Sequence, residues 1–406
     1  LFRKEYSKLV AVLCNLLGPA QIDTAQDIVS ETFQSALESW PYRGVPANPT
    51  AWLYLVAKNK TKNLLLRKKI FDEKIVPNMM TTNESDSVFQ ETELSEQTIQ
   101  DSQLRMMFAV CSPSIPVESQ VSLALRILCG FGIDEIATAL LTSKDVINKR
   151  LYRAKEKLKS DRFNLSDLSQ HDVSARLNTV LTTLYLLFNE GYYSETNDKI
   201  INKDLAEEAI LLCELLTLQP RTDLPKVHAL LSLMYFQSSR FDARINPNEE
   251  LVLYHEQDPS RWNQELISKG ILHLYQSTTG EELSNYHFEA SIAYWYTRPD
   301  ESTEKWNKIL ELYDILLKFN YSEVANINRL YAYAKVHGYD AAIKQSELCT
   351  PLDNPYFYSL MGELYSSVDS ARSDDYYIKA LQMVKSESER KLLLKKLRID
   401  SPDGIS

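Results

Sequence analysis

Glycine is scarce in this sequence, at ten of 406 residues, while leucine, alanine, glutamate and lysine are common. That composition argues against a turn-rich all-β protein and favours helices. Cysteine is also sparse, since its five residues stand singly, with no Cys-x-x-Cys pair and no spacing typical of disulfides. Isolated cysteines of this kind are typical of a protein kept in the reducing cytoplasm.

Long apolar runs are missing as well. No stretch of 18 apolar residues occurs, so the sequence predicts no membrane-spanning segment. Polar positions recur at helical spacing within the first 18 residues, which does not fit a secretory signal. The chain begins at Leu1 rather than at methionine, and we expect that its native start is missing or trimmed.

Catalytic and cofactor motifs are a third absence. The sequence has no Ser-His-Asp set, no P-loop and no Gly-x-Gly-x-x-Gly turn. Its six histidines are dispersed, and the one suggestive cluster, residues 255–258, cannot share one helix face because its members are adjacent. Asp258 instead precedes Pro259 in the manner of a helix cap. We therefore predict no enzyme, no cofactor and no metal site.

The net charge of -10 is unevenly distributed along the chain. Residues 1–69 carry ten Lys/Arg against five Asp/Glu, and residues 104–162 carry ten against six. Residues 70–103 carry one against eight, and the rest of the chain carries 24 against 36. Such asymmetry suggests that the front of the chain binds nucleic acid.

Five segments are predicted before residue 104. Residues 1–17 and 50–69 have helical periodicity, and a third helix begins with Asp23 in a capping box. Three prolines and a glycine predict a loop over residues 41–49. Residues 70–103 are acidic and nearly aperiodic, which predicts a linker that is flexible or ordered only on a partner.

Residues 133–159 predict two short helices separated by a tight break. Gly132 can cap the first helix and Ser143 the second. One apolar stripe runs along the second helix: Ile147, Leu151, Ala154 and Leu158. From residue 144 to residue 162, eight Lys/Arg stand against three Asp/Glu. This pattern is typical of a helix-turn-helix, whose second helix enters the DNA major groove. A surface helix with solvated charges is the alternative.

The outward side chains of this second helix divide by chemistry. Asn148 and Lys149 can read base edges, and Lys144 can contact bases or phosphates. Arg153 and Lys155 suit phosphates, which position a protein without specifying sequence. The predicted contacts to duplex DNA are therefore Ser143, Lys144, Asn148, Lys149, Arg150, Arg153 and Lys155.

Aromatic and basic side chains are interleaved in residues 40–62. Trp52 and Tyr54 lie near three lysines, and aromatic faces beside cations suit the unstacked bases of single-stranded DNA. The alternative is that Trp52, Leu53, Leu55 and Val56 are residues of the hydrophobic core.

These segments together resemble a known family. Residues 27–40 (DIVSETFQSALESW) resemble region 2.2 of the bacterial RNA polymerase sigma-70 family, residues 48–69 resemble regions 2.3 and 2.4, and residues 121–159 resemble region 4.2. Their order and the short linker resemble the two-domain extracytoplasmic-function (ECF) class. In the tail, LYLLFNEGY from residue 184 and DPSRWN from residue 258 resemble the ECF subgroup with a C-terminal tetratricopeptide-like extension.

The resemblance implies an all-α fold with two small helical sigma domains, followed by a helical, solenoid-like C-terminal domain. Region 2 would occupy residues 1–69 and an acidic linker residues 70–103. Region 4, with the helix-turn-helix, would occupy residues 104–162. The tetratricopeptide-like extension would occupy residues 173–406.

The resemblance also implies a cytoplasmic sigma factor that directs promoter recognition, strand opening and transcription initiation. Its partners would be promoter DNA and core RNA polymerase, through the β′ clamp helices and the β flap. The implied polymerase contacts are Gln26, Asp27, Glu31, Phe33 and Gln34. The implied contacts to the opened −10 element are Trp52, Lys58, Asn59, Lys62 and Asn63. The −35 element would be read by the duplex-DNA contacts already named, and residues 41–49 would hold a flipped base.

Other classes of function fit part of the pattern. A freestanding helix-turn-helix regulator with a protein-binding helical-repeat domain would need residues 133–159, but neither region 2.2 nor the linker. An enzyme fused to a DNA-binding module would need a catalytic set that the sequence lacks. For the tail, with 24 Lys/Arg against 36 Asp/Glu, we expect regulation through a protein partner or through contact with the sigma domains.

Overall fold

The secondary structure is helical throughout the part of the chain that the computed structural model describes, apart from an isolated antiparallel bridge between Ile245 and Leu251. This confirms the all-α fold class. The chain divides into two compact units, Leu1–Leu186 (unit 1) and Leu187–Ser406 (unit 2). The described residues are 2–75, 95–140, 142–160, 170–192, 203–246, 250–347, 353–384 and 386–398.

Besides a short 3-10 helix at Pro19–Gln21, unit 1 contains seven complete α-helices in its described residues and the first part of an eighth. These are α1 (Phe2–Leu17), α2 (Ile22–Arg43), α3 (Pro49–Ile75), α4 (Glu96–Val110), α5 (Val117–Ile127), α6 (Ile133–Ala139), α7 (Lys144–Ser160) and the start of α8 (Gln170–Tyr192).

Helix α1 lies at the centre of unit 1. Every side chain from Leu9 to Cys14 is buried, as are Glu5, Tyr6 and Ser7. The helix packs against α2 and α3 and also against α4 and α5. A helix buried around its whole circumference belongs to an interior, whereas a surface helix keeps one polar face. The two predicted sigma regions therefore share one core in unit 1.

Helix α2 differs from its prediction at both ends. It begins at Ile22, with Gln21 as N-cap and no side-chain cap, so the prediction of an Asp23 capping box was wrong. At its C-terminal end the helix continues through Pro41 to Arg43, so the first three residues of the predicted loop are helical. The helix ends where Gly44 adopts a φ of 79° and its N–H donates to the carbonyl of Trp40 at 3.0 Å.

The predicted acidic linker is helical at both ends. Helix α3 extends to Ile75, and α4 begins after Ser95, whose hydroxyl accepts from the Thr98 N–H at 3.2 Å. Residues 76–94, where the linker prediction also falls, lie outside the described residues. The sequence pattern missed the start of α4 because its first turns are polar and show no apolar stripe.

The first part of α8 belongs to unit 1, although the C-terminal extension was predicted to start at residue 173. Val173, Leu177 and Leu181 are fully buried. The hydroxyl of Thr183 donates to Gln120 Oε1 on α5 at 2.8 Å. The compact units divide between Leu186 and Leu187, fourteen residues later than the predicted boundary.

The helices of unit 2 pack mainly against their neighbours in sequence, as in a solenoid. This agrees with the prediction of paired helices separated by short breaks. After the end of α8, the helices are α9 (Lys203–Thr217), α10 (Pro225–Ser238), α11 (Gln264–Ser277), α12 (Asn285–Tyr296), α13 (Thr303–Phe319), α14 (Glu323–His337), α15 (Tyr339–Glu347), α16 (Pro355–Tyr365), α17 (Ser370–Met383) and α18 (Glu387–Lys396).

Gly362 allows a close approach between α16 and α17. A Cβ atom at this position would lie 2.7 Å from the ring of Tyr377. The carbonyl of Gly362 accepts a hydrogen bond from Ser373 at 2.7 Å. Two helices can approach this closely only where one has no side chain, and the backbone of α16 at Gly362 is therefore in contact with Tyr377 of α17.

A buried lysine connects α13 to the preceding segment of unit 2. The side chain of Lys305 has no exposed surface, and its Nζ donates to the hydroxyl of Tyr254 at 2.7 Å. It also donates to the carbonyls of Arg298 at 2.7 Å and Asp300 at 2.8 Å. Burial lowers the pKa of this lysine, whereas the nearby carboxylate of Glu301 opposes that shift. All three ammonium hydrogens have acceptors, which makes the buried charge tolerable.

Candidate nucleic-acid interface

An exposed polar strip runs along α2. Asp27, Glu31 and Gln34 are exposed and follow one another at spacings of four and three residues, so they lie on one helix face. Glu31 accepts from Lys60 of α3 at 3.1 Å, and Gln34 donates to Glu38 at 2.9 Å. The opposite face of α2 is buried, which fixes the strip in place and leaves its side chains exposed to solvent.

The other two residues predicted to contact polymerase lie inside unit 1. Gln26 is 7% exposed and donates from Nε2 to the hydroxyl of Tyr6 at 3.2 Å. Phe33 is 8% exposed and meets Phe2 edge-on, with 4.6 Å between ring centroids. Being seven residues apart, Gln26 and Phe33 share the inward face of α2. The motif alone did not show which of its residues lie on this buried face and which lie on the exposed face beside it.

The residues predicted to capture a single strand lie along α3. Asn59, Lys62 and Asn63 are exposed, and Lys58 is half-buried. Trp52 is half-buried and meets Trp40 edge-on at 5.5 Å between ring centroids. The helix therefore presents polar and cationic groups to solvent, with an aromatic ring partly accessible near its start.

Exposed apolar side chains surround the turn between α2 and α3. Leu37, Tyr42, Val45 and Leu55 each have more than half of their surface exposed. A core role for residues 52–56 is right for Leu53, which is fully buried, and wrong for Leu55. Sequence reasoning did not single out Tyr42, which is 89% exposed near the C-terminal end of α2.

Helices α6 and α7 form the predicted helix pair. The Gly132 N–H donates to Glu135 at 2.6 Å at the start of α6, and Ser143 Oγ accepts from the Val146 N–H at 3.3 Å at the start of α7. Both caps agree with their predictions. The apolar stripe is buried as predicted: Ile147, Leu151, Ala154 and Leu158.

The predicted duplex-DNA contacts lie on the outer side of α7. Arg150 and Lys155 are half-buried. The ammonium group of Lys144 pairs with Asp134 of α6 at 2.8 Å. The remaining contacts are exposed: Ser143, Lys144, Asn148, Lys149 and Arg153. The N-terminal half of α7 therefore presents amide and cationic groups to solvent at helical spacing.

The C-terminal half of α7 contacts the start of α2. Lys155 Nζ lies 2.9 Å from Asp23 Oδ1 and 2.6 Å from Gln26 Oε1. Lys159 Nζ lies 2.9 Å from the other oxygen of Asp23. Burial raises the pKa of Asp23, but the hydrogen bonds from both lysines outweigh it and hold that pKa below its usual value. The structure thus joins a predicted DNA contact to a predicted polymerase contact.

Unit 2 contains a histidine pair that the sequence did not suggest. The Nδ1 atoms of His228 and His273 are 2.9 Å apart, and His228 Nε2 lies 2.8 Å from Asp223. Burial lowers the pKa of His273 to about 4, and the neighbouring His228 is the second cause of this shift. Among the residues that the structure describes, no group of three or more His, Cys, Asp or Glu could hold a metal ion.

Comparison with known proteins supports the prediction made for the N-terminal part of unit 1. A family model described as Sigma-70 region 2 matches residues 1–70, which include α1, α2 and most of α3. Residues 1–70 therefore resemble region 2 of the sigma-70 family. Residues 176–278 match a second model, described as a family of unknown function (DUF6596). That match begins within α8 and ends just after α11.

A relative resembles most of the chain. It is a protein of Rhizobium meliloti (strain 1021) named "Uncharacterized protein R00370", 30% identical over 344 residues, which are 83% of this chain and 80% of the relative. The two proteins therefore share unit 2 as well as unit 1, at least in part. No solved structure matches the chain. Among the described helices, none is long and apolar enough to cross a membrane.

Proposed function

We propose that this protein is a cytoplasmic, non-enzymatic sigma factor of the ECF class, which binds core RNA polymerase and directs promoter recognition and strand opening. The observation that carries the proposal is the match of residues 1–70 to sigma-70 region 2. The exposed strip of α2 supports it, because Asp27, Glu31 and Gln34 face solvent at the positions of the polymerase-binding motif.

The DNA contacts follow from the same proposal. Asn59, Lys62 and Asn63 on α3 would hold the opened −10 strand, with Trp52 and Tyr42 as stacking surfaces beside them. In the helix-turn-helix of α6 and α7, Asn148 and Lys149 would read the −35 element. The nearby arginines would contact phosphates. Gln26 and Phe33 would position α2 rather than touch polymerase.

Binding of the full chain to purified bacterial core RNA polymerase on a sizing column tests the proposal. The chain should co-elute with core, and the triple variant Asp27→Ala, Glu31→Ala, Gln34→Ala should not. A control that removes the exposed acids Glu265 and Glu304 of unit 2 should bind like the unmodified chain. If the unmodified chain fails to co-elute with core, the freestanding DNA-binding regulator becomes the better assignment.

For unit 2 we propose a regulatory role, as a tetratricopeptide-like surface for a protein partner or for unit 1. Its support is the succession of neighbouring helix pairs and its excess of acidic residues. Removal of unit 2 should be made after Leu186, because a cut at residue 170 would also remove the buried first part of α8. Unchanged DNA affinity and unchanged transcription after that removal would exclude autoinhibition by unit 2.

A further inference from the structure

We propose that unit 2 contains a binding site for the phosphate group of a small molecule, formed by Arg240 and Arg244 around Tyr192. All three residues lie within residues 176–278, which match the family of unknown function. If unit 2 regulates transcription, as proposed above, the bound molecule is its signal, and this consequence alone rests on the proposed function. Binding itself can be measured without polymerase or DNA.

Two segments that stand out in the tail sequence meet at this site. Tyr192 ends the first, LYLLFNEGY, and Trp262 belongs to the second, DPSRWN. The Asn263 N–H donates to the carbonyl of Ser239 at 2.8 Å, which brings the second segment alongside Arg240. Nη2 of Arg240 donates to the Tyr192 hydroxyl at 3.5 Å, which connects it to the first segment. Arg240 therefore lies between the two segments.

Both arginines contact Tyr192 and are held by aromatic rings. The Arg244 N–H donates to the Arg240 carbonyl at 3.1 Å, so the two side chains leave the same side of one turn. The Arg244 guanidinium carbon lies 4.1 Å from the centroid of the Tyr192 ring, and Nη1 donates to the Tyr192 carbonyl at 3.3 Å. The Arg240 guanidinium carbon lies 5.6 Å from the ring centroids of both Tyr254 and Tyr296.

This pair of cations has no carboxylate partner within the part of the chain that the structure describes. The contacts of both side chains there are with aromatic rings, the Tyr192 hydroxyl and a carbonyl. Arg240 is only 8% exposed, and its Nε has no hydrogen-bond acceptor. Burial lowers the pKa of Arg244, Tyr192 opposes that shift, and the like charge of Arg240 adds to it. Buried charges are ordinarily paired, so a bound anion removes an unfavourable arrangement.

The chemistry of the site favours a phosphate over other anions. Each guanidinium presents N–H groups in a planar fork that matches phosphate oxygens. A phosphate monoester carries a charge of about −1.5 to −2 at pH 7, which balances both arginines, whereas a single carboxylate balances one. The Tyr192 hydroxyl accepts from Arg240 and can donate its own hydrogen to a phosphate oxygen. Lys305 is another nearby cation, but Glu301 pairs with it at 3.3 Å.

Part of the site is open to solvent. Arg244, Tyr192 and Tyr254 are each half-buried, so a small molecule can approach along them. Trp262 supplies a second buried donor, because its Nε1 also has no acceptor. Its ring stacks on Tyr254 with 6.5 Å between centroids. Two buried N–H donors without acceptors, Nε of Arg240 and Nε1 of Trp262, therefore belong to residues that pack on the same tyrosine ring.

Urea unfolding of unit 2 within the full chain tests the site. Trp40→Phe and Trp52→Phe leave three tryptophans, Trp262, Trp295 and Trp306, so tryptophan fluorescence follows unit 2 alone. Unfolding is recorded at pH 7 and fixed ionic strength with increasing inorganic phosphate, acetate or chloride. Phosphate should raise the urea midpoint more than either other anion, because a ligand that binds only the folded state stabilises it.

Arg240→Met and Arg244→Met each remove one guanidinium and keep an unbranched side chain. The phosphate concentration for half of the midpoint shift should rise about ten- to hundredfold, the contribution of a hydrogen bond to a charged group. Arg298→Met is the matched control, since Arg298 lies 6.0 Å from the Trp295 ring but is exposed and pairs with Asp300 at 3.5 Å. It should respond like the unmodified chain. Should Arg240→Met fail to fold, Arg244→Met at the partly exposed edge decides the test.

Three outcomes separate this site from a general effect of salt. A midpoint that phosphate raises no more than chloride does would overturn the site. Equal phosphate responses in Arg244→Met and Arg298→Met would also overturn it, because the effect would then come from anion exclusion at the protein surface or from another site. A larger effect of acetate than of phosphate would overturn the assignment of the ligand to phosphates.

Discussion

Lys155 and Gln26 are 129 residues apart in sequence, yet the ammonium group of the first donates to the amide oxygen of the second at 2.6 Å. The motifs of the sequence assign one to DNA and the other to polymerase. In unit 1 the two predicted sites are neighbours, and each covers part of the other. Mutations at either residue therefore change the stability of the contact as well as any binding to an external partner.

Arg153→Ala should weaken duplex binding similarly for all sequences. An exposed arginine that neutralises one phosphate releases about one counterion, so the slope of log affinity against log salt should fall by about 0.9. Asn148→Ala should instead change the preferred base pair, with a loss of about 1–3 kcal/mol at one position. Titration of duplexes selected from a random pool, at several salt concentrations, measures both quantities.

The control for this experiment is Lys308→Ala. Lys308 is an exposed lysine of unit 2 that pairs with Glu311 at 3.0 Å. Removing it makes the same charge change outside the proposed interface, and the salt slope should stay the same. An Arg153→Ala slope equal to that of Lys308→Ala would show that α7 carries only solvated charge.

Local patterns predicted much of the fold and less of the site. The stripe from Ile147 to Leu158 is buried as its spacing predicts, since helical periodicity is set by nearby residues. The burial of Gln26 depends on its contacts with Tyr6 and Lys155, which are 20 and 129 residues away in sequence. Such contacts join segments whose pairing no local pattern contains, and the motif match alone could not distinguish Gln26 from its exposed neighbour Asp27.

Unit 2 should lose stability in mild acid because of His273. Its folded pKa is about 4, below the ordinary value of 6.5, because burial and the neighbouring His228 disfavour the charged ring. Between these values the unfolded chain binds more protons, so stability falls as pH drops from 6.5 to 4. Because the ring is partly exposed, solvent screening reduces this effect, and the expected loss in free energy of unfolding is about 1 kcal/mol. Urea unfolding at pH 7 and pH 5 measures it.

His273→Asn should remove the part of the pH dependence that comes from His273, because an amide can still face the His228 Nδ1 but does not titrate. His337→Asn is the control, as His337 is exposed near the end of α14. This control should keep the full loss between pH 7 and pH 5. Equal losses in the two variants would place the titrating group elsewhere in unit 2.

Lys305→Met should destabilise unit 2 by about 3 kcal/mol, since the Asp300 carbonyl and the Tyr254 hydroxyl lose the ammonium donor in a buried site, and the Arg298 carbonyl keeps only the hydrogen bond from Tyr254 at 3.3 Å. Lys308→Met is on the same helix and removes only an exposed pair, so it should cost less than about 1 kcal/mol. The midpoints of urea unfolding give the comparison. Similar midpoints for the two variants would mean that Lys305 is better solvated than its burial indicates.

Gly362→Ala should also destabilise unit 2, by about 1–3 kcal/mol, through overpacking. The added methyl would lie 2.7 Å from the ring of Tyr377, and that ring is held by a hydrogen bond from its hydroxyl to Glu363 at 3.0 Å. A helical glycine-to-alanine change in open space would instead stabilise by up to about 1 kcal/mol. The sign of the change therefore separates close packing from simple helix propensity.

In a Tyr377→Leu background the ring is absent, and the same substitution should become neutral or stabilising when measured by urea unfolding. A penalty that persists in that background would assign the cost to the backbone of α16 rather than to its contact with α17.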